Sequence, residues 1–142
     1  MDHVVYLDSK ADELGKLCRG EKTMLIRGAT GRKMPYGRVH AGDNLYLLEN
    51  NGTGKVTARV DVVSVYNSEK MDQDQSVAMV NENQAGLQLS NSQIKRWAGK
   101  RYLILIEVDN LCNLDPFRID KSKYGNMDDW LPVEDIISVK IA

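Results

Sequence analysis

The 142-residue sequence has few of the features that mark secreted, membrane or disulfide-stabilised proteins. Its two cysteines, Cys18 and Cys112, are too few and too far apart for a disulfide framework or a zinc knuckle. We therefore expect reduced thiols and a cytoplasmic protein. No run of about 18 apolar residues occurs, so we expect no membrane-spanning helix. The first residues, Met-Asp-His-Val-Val-Tyr, lack the cationic and apolar regions of a secretory signal.

Motifs for metals and for nucleophilic catalysis are also missing. His3 and His40 have no neighbouring ligand residues at useful spacing, so we expect no metal site and packed or solvated histidines. No Ser-His-Asp or Cys-His arrangement is legible, and Gly54-Lys55 fails the other positions of a phosphate-binding loop. We expect no cofactor, and the sequence leaves open whether the protein is an enzyme.

What is present fits one ordinary globular domain. Apolar residues make up 42% and charged residues 27% of the chain, which is typical of a folded protein. The length suits a single domain spanning residues 1–142.

The charges are unevenly distributed although the net charge is only −1. Residues 16–38 carry a charge of +6, from one acid, Glu21, and seven cations: Lys16, Arg19, Lys22, Arg27, Arg32, Lys33 and Arg38. Residues 107–135 carry −5. Two interpretations remain open: a basic face that binds an anion, or two segments that neutralise each other in the folded protein.

Hydrophobic patterns predict six or seven strands and two main helices. Strands are expected at residues 3–7, 23–27, 44–49, 55–66 and 102–108, with a final strand ending at residue 141. Asp8 or Ser9 is expected to cap an early helix. Ser90 and Gln93 form a capping box for a later one. Residues 71–84 are polar and predict an insertion of loop and weak helix.

Two strands have further predicted features. Residues 24–26 are apolar without alternation, which favours a strand buried on both faces. The pattern of residues 55–66 shifts at Val62-Val63, which indicates a bulge where a sheet bends. A continuous βαβ alternation is absent, so we predict an α+β fold: a small, bent β-barrel with flanking helices.

The connection over residues 28–42 is long for a compact domain and rich in glycine and cations. Its glycines allow backbone N–H groups to approach a ligand, and Arg32, Lys33 and Arg38 can reach phosphate. A solvated loop without a specific role is the alternative.

Residues 20–27, Gly-Glu-Lys-Thr-Met-Leu-Ile-Arg, resemble the Gly-x-Lys-x-x-Glu-x-Arg signature of ASCH domains, which belong to the PUA-like superfamily. Residues 42–46, Gly-Asp-Asn-Leu-Tyr, resemble the Gly-Asp-x-Leu strand entry of the same family. The resemblance covers most of residues 1–110. It implies a small PUA-like β-barrel and a cleft that binds RNA or a modified nucleotide.

One position departs from the signature. Leu25 stands where the family has Glu or Thr. Some ASCH proteins are acetylcytidine amidohydrolases, and the resemblance makes Lys22 the candidate catalytic residue if this protein is a hydrolase of a modified nucleoside. A lysine desolvated beside a strand has a lowered pKa and can act as a base. The threonine partner has no counterpart at Leu25.

The candidate binding residues follow from the cations and aromatics around this motif. Phosphate contacts are expected from Lys22, Arg27, Arg32, Lys33 and Arg38, and base stacking from Tyr36 and Trp130. We expect Lys22 rather than Arg27 to face the cleft. Arg27 is alternatively paired with an acid from the last third of the chain, and Trp97 is expected to pack in the core.

A third possibility is a protein-interaction module whose acidic last third meets a protein partner of unknown identity. The sequence therefore predicts an RNA- or nucleotide-binding module first, with a hydrolase and an interaction module as alternatives.

Overall fold

A computed structural model describes residues 1–124 and 129–141. These residues form one curled seven-stranded sheet with short helices beside it. The strands are β1 (Asp2–Leu7), β2 (Met24–Ala29), β3 (Asn44–Glu49), β4 (Lys55–Asn67), β5 (Tyr102–Ile119), β6 (Trp130–Glu134) and β7 (Lys140–Ile141). The helices are α1 (Glu13–Cys18), α2 (Gln73–Glu82), α3 (Gln84–Leu87) and α4 (Asn91–Trp97), and a 3₁₀ turn spans Ile136–Ser138.

The sheet has the order β2-β5-β4-β3-β1-β6, and β7 pairs with the end of β5. The β1–β3 pair is parallel, and the other pairs are antiparallel. Strand β5 is long enough, at 18 residues, to pair with β2 near its start and with β7 near its end. The sheet thus curls into a half-barrel, and the predicted α+β class with six or seven strands is confirmed.

Strand β2 is buried on both faces, as its sequence predicted. Leu25 packs inside the curl against residues of β1, β3 and β4. Ile26 points to the other face, where Val80, Leu87 and Trp97 of the helices cover it. The bend predicted in β4 is also present, because the register with β5 shifts between Val62 and Ser64.

Helix α4 agrees with the prediction, whereas α1 and α2 differ from it. Helix α4 has the predicted capping box between Ser90 and Gln93. Helix α2 is better defined than its polar sequence indicated, because Asp72 and Gln75 form a second capping box. The predicted start of α1 was wrong: the helix begins at Glu13, and the Asp8 carboxylate instead accepts backbone hydrogen bonds in the preceding turn.

No helix in the described ranges has both the length and the apolar content needed to cross a membrane.

Candidate functional site

Two adjoining cavities lie where β2 ends, beside α4 and the start of β6. The first has a volume of about 410 Å³ and the second about 240 Å³. Both are lined by Arg27, Arg96, Trp97 and Asp129, so they form one continuous depression that we call the cleft. The first cavity is completed by Gly28, Ala29, Thr30, Lys33, Met34, Lys100 and Trp130. The second is completed by Tyr6, Asp8, Glu13, Asn50, Gln93 and Lys121.

Arg27 lies at the junction of the two cavities and is held rigidly. Its side chain is 7% exposed, and its two terminal nitrogens donate to the carbonyl oxygens of Ile26 (2.7 Å) and Tyr6 (2.9 Å). The guanidinium carbon lies 5.9 Å from the ring centre of Trp97 and 5.5 Å from that of Trp130. These contacts fix a permanent positive charge in the wall of the cleft.

An acid from the last third of the chain reaches this arginine. Asp129 Oδ2 lies 3.4 Å from Arg27 Nε and 3.6 Å from a terminal nitrogen of Arg96. Within residues 1–124 and 129–141, this is the ion pair that links the basic early segment to the acidic late one. The alternative in which Arg27 pairs with such an acid is therefore confirmed, and the described residues show no further ion pair between the two segments.

Trp130 forms part of the wall and does not offer an open ring face. It is 1% exposed, and its Nε1–H donates to His3 Nδ1 over 3.1 Å. Because Nδ1 accepts, His3 carries its proton on Nε2, which donates to Asp43 Oδ2 over 2.9 Å. The stacking role expected for Trp130 is corrected, because the indole is almost completely buried and packs in the core.

The Trp130–His3–Asp43 chain also sets two titrations. Burial lowers the pKa of His3, and the hydrogen bond and charge of Asp43 offset this only in part. Burial alone would raise the pKa of Asp43, but hydrogen bonds from the His3 side chain and the His40 N–H outweigh it and lower that pKa. These shifts favour the neutral imidazole of His3, the form in which Nδ1 can accept the hydrogen bond from Trp130.

The other cations of the cleft come from different parts of the chain. Lys33 is an exposed residue of the loop after β2, and Lys100 follows α4. Arg96 lies over the Trp97 ring at 4.4 Å, and Lys121 Nζ lies 5.3 Å from the Tyr6 ring. Among the cations that line the two cavities in the described residues, Arg27 and Lys33 come from the basic segment predicted over residues 16–38. The only sequence signal for Arg96 and Lys100 was their position beside Trp97 at the end of a capped helix.

Three predicted binding residues of the loop after β2 lie outside both cavities. The Arg32 guanidinium packs on Tyr36 and Tyr102, at 5.7 and 5.6 Å from the ring centres. Tyr36 is half-buried, and its hydroxyl donates to the carbonyl oxygen of Ser68. Arg38 is exposed and lines neither cavity. The loop after β2 folds over the sheet edge, so its cations diverge and only Lys33 reaches the cleft.

Gly28 has a packing role that the sequence did not indicate. It lies within β2, and a Cβ atom there would come within 2.7 Å of the Leu103 side chain and 3.2 Å of Lys100 Cβ. Glycine therefore allows β2 and the segment after α4 to approach closely, which forms one side of the first cavity.

Lys22 does not face the cleft, contrary to expectation. Its side chain is 1% exposed, lines neither cavity and donates to the carbonyl oxygen of Leu87 at the end of α3. Because β2 begins only at Met24, Lys22 lies in the turn before the strand and extends inward. Burial lowers the pKa of Lys22 to about 8, and the nearby Glu13 carboxylate opposes this shift.

Glu13 is the site residue that sequence reasoning missed most completely. Its side chain is 7% exposed and lies 3.8 Å from Lys22 Nζ, on the floor of the second cavity. Its Oε1 accepts hydrogen bonds from Gln93 Nε2 and from the Asp8 N–H, both over 3.0 Å. A glutamate at the start of a short helix resembles any helix-initiating acid, so no local pattern distinguished it.

The curled sheet with helices over one face, and a cleft at the end of β2, define an α+β half-barrel. Solved structures show the same architecture. The chain is similar to ASCH from Zymomonas mobilis, with a TM-score of 0.64, 14% identity, and coverage of 99% of this chain and 96% of that one. A tyrosine-to-phenylalanine mutant of that protein gives the same TM-score and identity with 99% coverage of each chain. A serine-to-alanine mutant of it gives 0.62 and 15%, covering 94% of this chain and 89% of that one.

The chain therefore has the ASCH fold, and the resemblance drawn from its motif is confirmed at the level of fold. No protein-family model matches the sequence, and no curated protein matches it.

Proposed function

We propose that the cleft binds RNA or a modified nucleotide through its phosphate groups. The observation that carries this proposal is Arg27, a buried guanidinium fixed between two indole rings where the two cavities meet. A fixed charge of this kind loses little side-chain entropy when an anion binds.

The charges around Arg27 support the proposal. Among the described residues, five cations line the two cavities, against the three acids Asp8, Glu13 and Asp129. Asp129 lies beside Arg27 and Arg96 and offsets one of their two charges, so the other cations of the cleft add to the remaining positive charge. A depression with a surplus of cations in a chain of net charge −1 attracts phosphate to this place in particular.

The cations of the rim suit phosphate contacts. Lys33, Arg96 and Lys121 are exposed residues whose long side chains can follow a sugar–phosphate backbone. The buried aromatics add van der Waals contact at the wall rather than an open stacking platform. Affinity is therefore expected to come mainly from charge.

The test is binding of single-stranded RNA at several salt concentrations. We expect the variant Lys33→Ala/Arg96→Ala to weaken binding about tenfold or more at low salt. The plot of log affinity against log salt should also become shallower, by about 0.7 for each phosphate that is no longer neutralised. Fluorescence anisotropy with a labelled hexanucleotide measures both quantities.

The matched control is Arg38→Ala/Lys55→Ala, which removes the same two residue types from exposed positions outside both cavities. We expect this variant to keep a salt slope close to that of the wild type. Equal reductions in affinity for the two variants, or no binding of the wild type at low salt, would contradict the proposal.

The two alternatives gain less from the structure. The hydrolase alternative depends on Lys22, whose ammonium group is buried beside Glu13 and lines neither cavity. The interaction-module alternative depends on the acidic last third of the chain. Asp129 of that segment lies in the cleft beside Arg27.

A further inference from the structure

We infer that Glu13 accepts a hydrogen bond from the base of the bound nucleotide, so that the cleft favours bases with an exocyclic amino group over uracil. This inference rests on the proposed function and adds a base preference to it. Nothing in the phosphate contacts themselves would distinguish one base from another.

The second cavity is suited to the base by its place and its lining. It adjoins the first cavity across Arg27 and Arg96, so a phosphate held by these cations leaves the rest of the nucleotide beside the second cavity. Its volume of about 240 Å³ and its lining by Tyr6, Asn50 and Gln93 provide a small space with polar groups around it. Such a space selects a ligand by hydrogen bonding.

Among the residues that the structure describes, one carboxylate oxygen of Glu13 accepts no hydrogen bond. Its Oε1 already accepts two hydrogen bonds, from Gln93 and from the Asp8 backbone. Its Oε2 forms an ion pair with Lys22 Nζ at 3.8 Å, a separation longer than a hydrogen bond, and Lys22 itself donates to Leu87. An ionised carboxylate can only accept, so Oε2 favours an N–H donor on the ligand.

The bases differ at the atom that would meet this oxygen. Cytosine and adenine carry an amino group on their pairing edges, and glutamate commonly accepts from the cytosine amino group. Uracil has a carbonyl oxygen in the corresponding place, and a carboxylate repels it. A buried charged acceptor makes this discrimination stronger than it would be in water.

The experiment compares labelled single-stranded hexamers of cytidine, adenosine and uridine, which carry equal numbers of phosphates. We expect the wild type to bind the cytidine and adenosine hexamers roughly tenfold more tightly than the uridine hexamer. In Glu13→Gln the preference should fall to about twofold or reverse, because an amide can donate to the uracil carbonyl. The control Glu82→Gln makes the same change of charge outside the cleft and should keep the wild-type preference.

A change in the ligand tests the same contact without altering the protein. A hexamer of purine riboside, which is adenosine without its amino group, should bind as weakly as the uridine hexamer. Equal binding of all the hexamers by the wild type, or an unchanged preference in folded Glu13→Gln, would overturn the inference and leave the proposed function intact. Failure of every hexamer to bind would instead contradict the proposed function itself.

Discussion

At the residue scale, Lys22 shows how burial alters the pKa of a charge that the sequence placed in the cleft. Among the described residues, its ammonium group donates to the Leu87 carbonyl and lies 3.8 Å from the Glu13 carboxylate. Holding it charged therefore costs free energy, which is why its pKa falls from 10.5 to about 8.

This lowered pKa predicts a pH dependence of stability. Between pH 8 and 10.5 the unfolded chain binds more protons at Lys22 than the folded chain does, so the free energy of unfolding rises with pH across that window. The contribution from this residue is about 3 kcal/mol in total. Urea unfolding of the wild type and Lys22→Met at pH 7.5 to 10.5 measures it as the difference between the two profiles.

Other groups also titrate in this range, so a second lysine serves as the control. Lys55 is exposed, and Lys55→Met should keep the wild-type profile. Parallel profiles for the wild type and Lys22→Met would show that the Lys22 ammonium is not desolvated in the folded protein.

At the element scale, α4 connects the fold to the cleft. Its last turn carries Arg96 and Trp97 into both cavities, and Gln93 on the same helix donates to Glu13. The helix is only seven residues long, so its stability depends on its cap and on packing rather than on helix propensity.

The cap can be removed without changing the packed face. Ser90 Oγ accepts from the Gln93 N–H, and the Gln93 side chain accepts from the Ser90 N–H. We expect Ser90→Ala to lower the free energy of unfolding by about 1 kcal/mol, because the Gln93 N–H loses its acceptor and the reciprocal pair is broken. Equilibrium urea denaturation gives the value.

Ser92 provides a matched substitution two residues further along the same helix. It is exposed, and Ser92→Ala should change stability by less than about 0.5 kcal/mol. If the two alanine variants unfold at the same urea concentration, the capping box does not stabilise α4.

At the scale of the whole molecule, the two tryptophans report on different parts of one structure. Trp97 packs among the helices on one face of the sheet, and Trp130 packs inside the curl. Arg27 lies between their rings and links the two clusters through β2. The proposed single domain over residues 1–142 therefore implies one cooperative unfolding transition.

Single-tryptophan variants test this cooperativity. We expect Trp97→Phe, which leaves Trp130, and Trp130→Phe, which leaves Trp97, each to unfold with the same midpoint by fluorescence and by far-ultraviolet circular dichroism. Fluorescence of Trp97 that changes at lower urea than the circular dichroism would show that the helical side unfolds as a separate unit.

Much of the fold was predictable because it follows from local patterns. The apolar run at Leu25 and Ile26 predicted burial on both faces, and Ser90 with Gln93 predicted the start of α4. The cap of α1 was not predictable, because Asp8 satisfies a turn and the helix begins five residues later. The sequence predicted only weak helix in the region of α2, because its polar residues give a weak hydrophobic period. The capping box of Asp72 and Gln75 is the local feature that marks this helix.

The cleft was less predictable than the fold. Of seven predicted binding residues, Arg27, Lys33 and Trp130 line it, whereas Lys22, Arg32, Tyr36 and Arg38 do not. A run of cations in sequence cannot show which side chains converge, because neighbours on a strand or in a loop point in different directions. Arg96, Lys100 and Lys121 come from distant segments, so only the path of the chain brings them to Arg27.

The sequence by itself determined the α+β class, the positions of β1 to β4, the start of β5 and the motif that resembles ASCH domains, since these depend on residue spacing along the chain. The second half of β5 and strand β6 were not predicted. Tertiary structure alone decided that Lys22 is buried, that Arg27 faces the cleft with Asp129 beside it, and that Glu13 lies on its floor. These facts depend on contacts between residues tens of positions apart, and burial then sets their charge and hydrogen bonding. Local pattern cannot specify which distant groups meet.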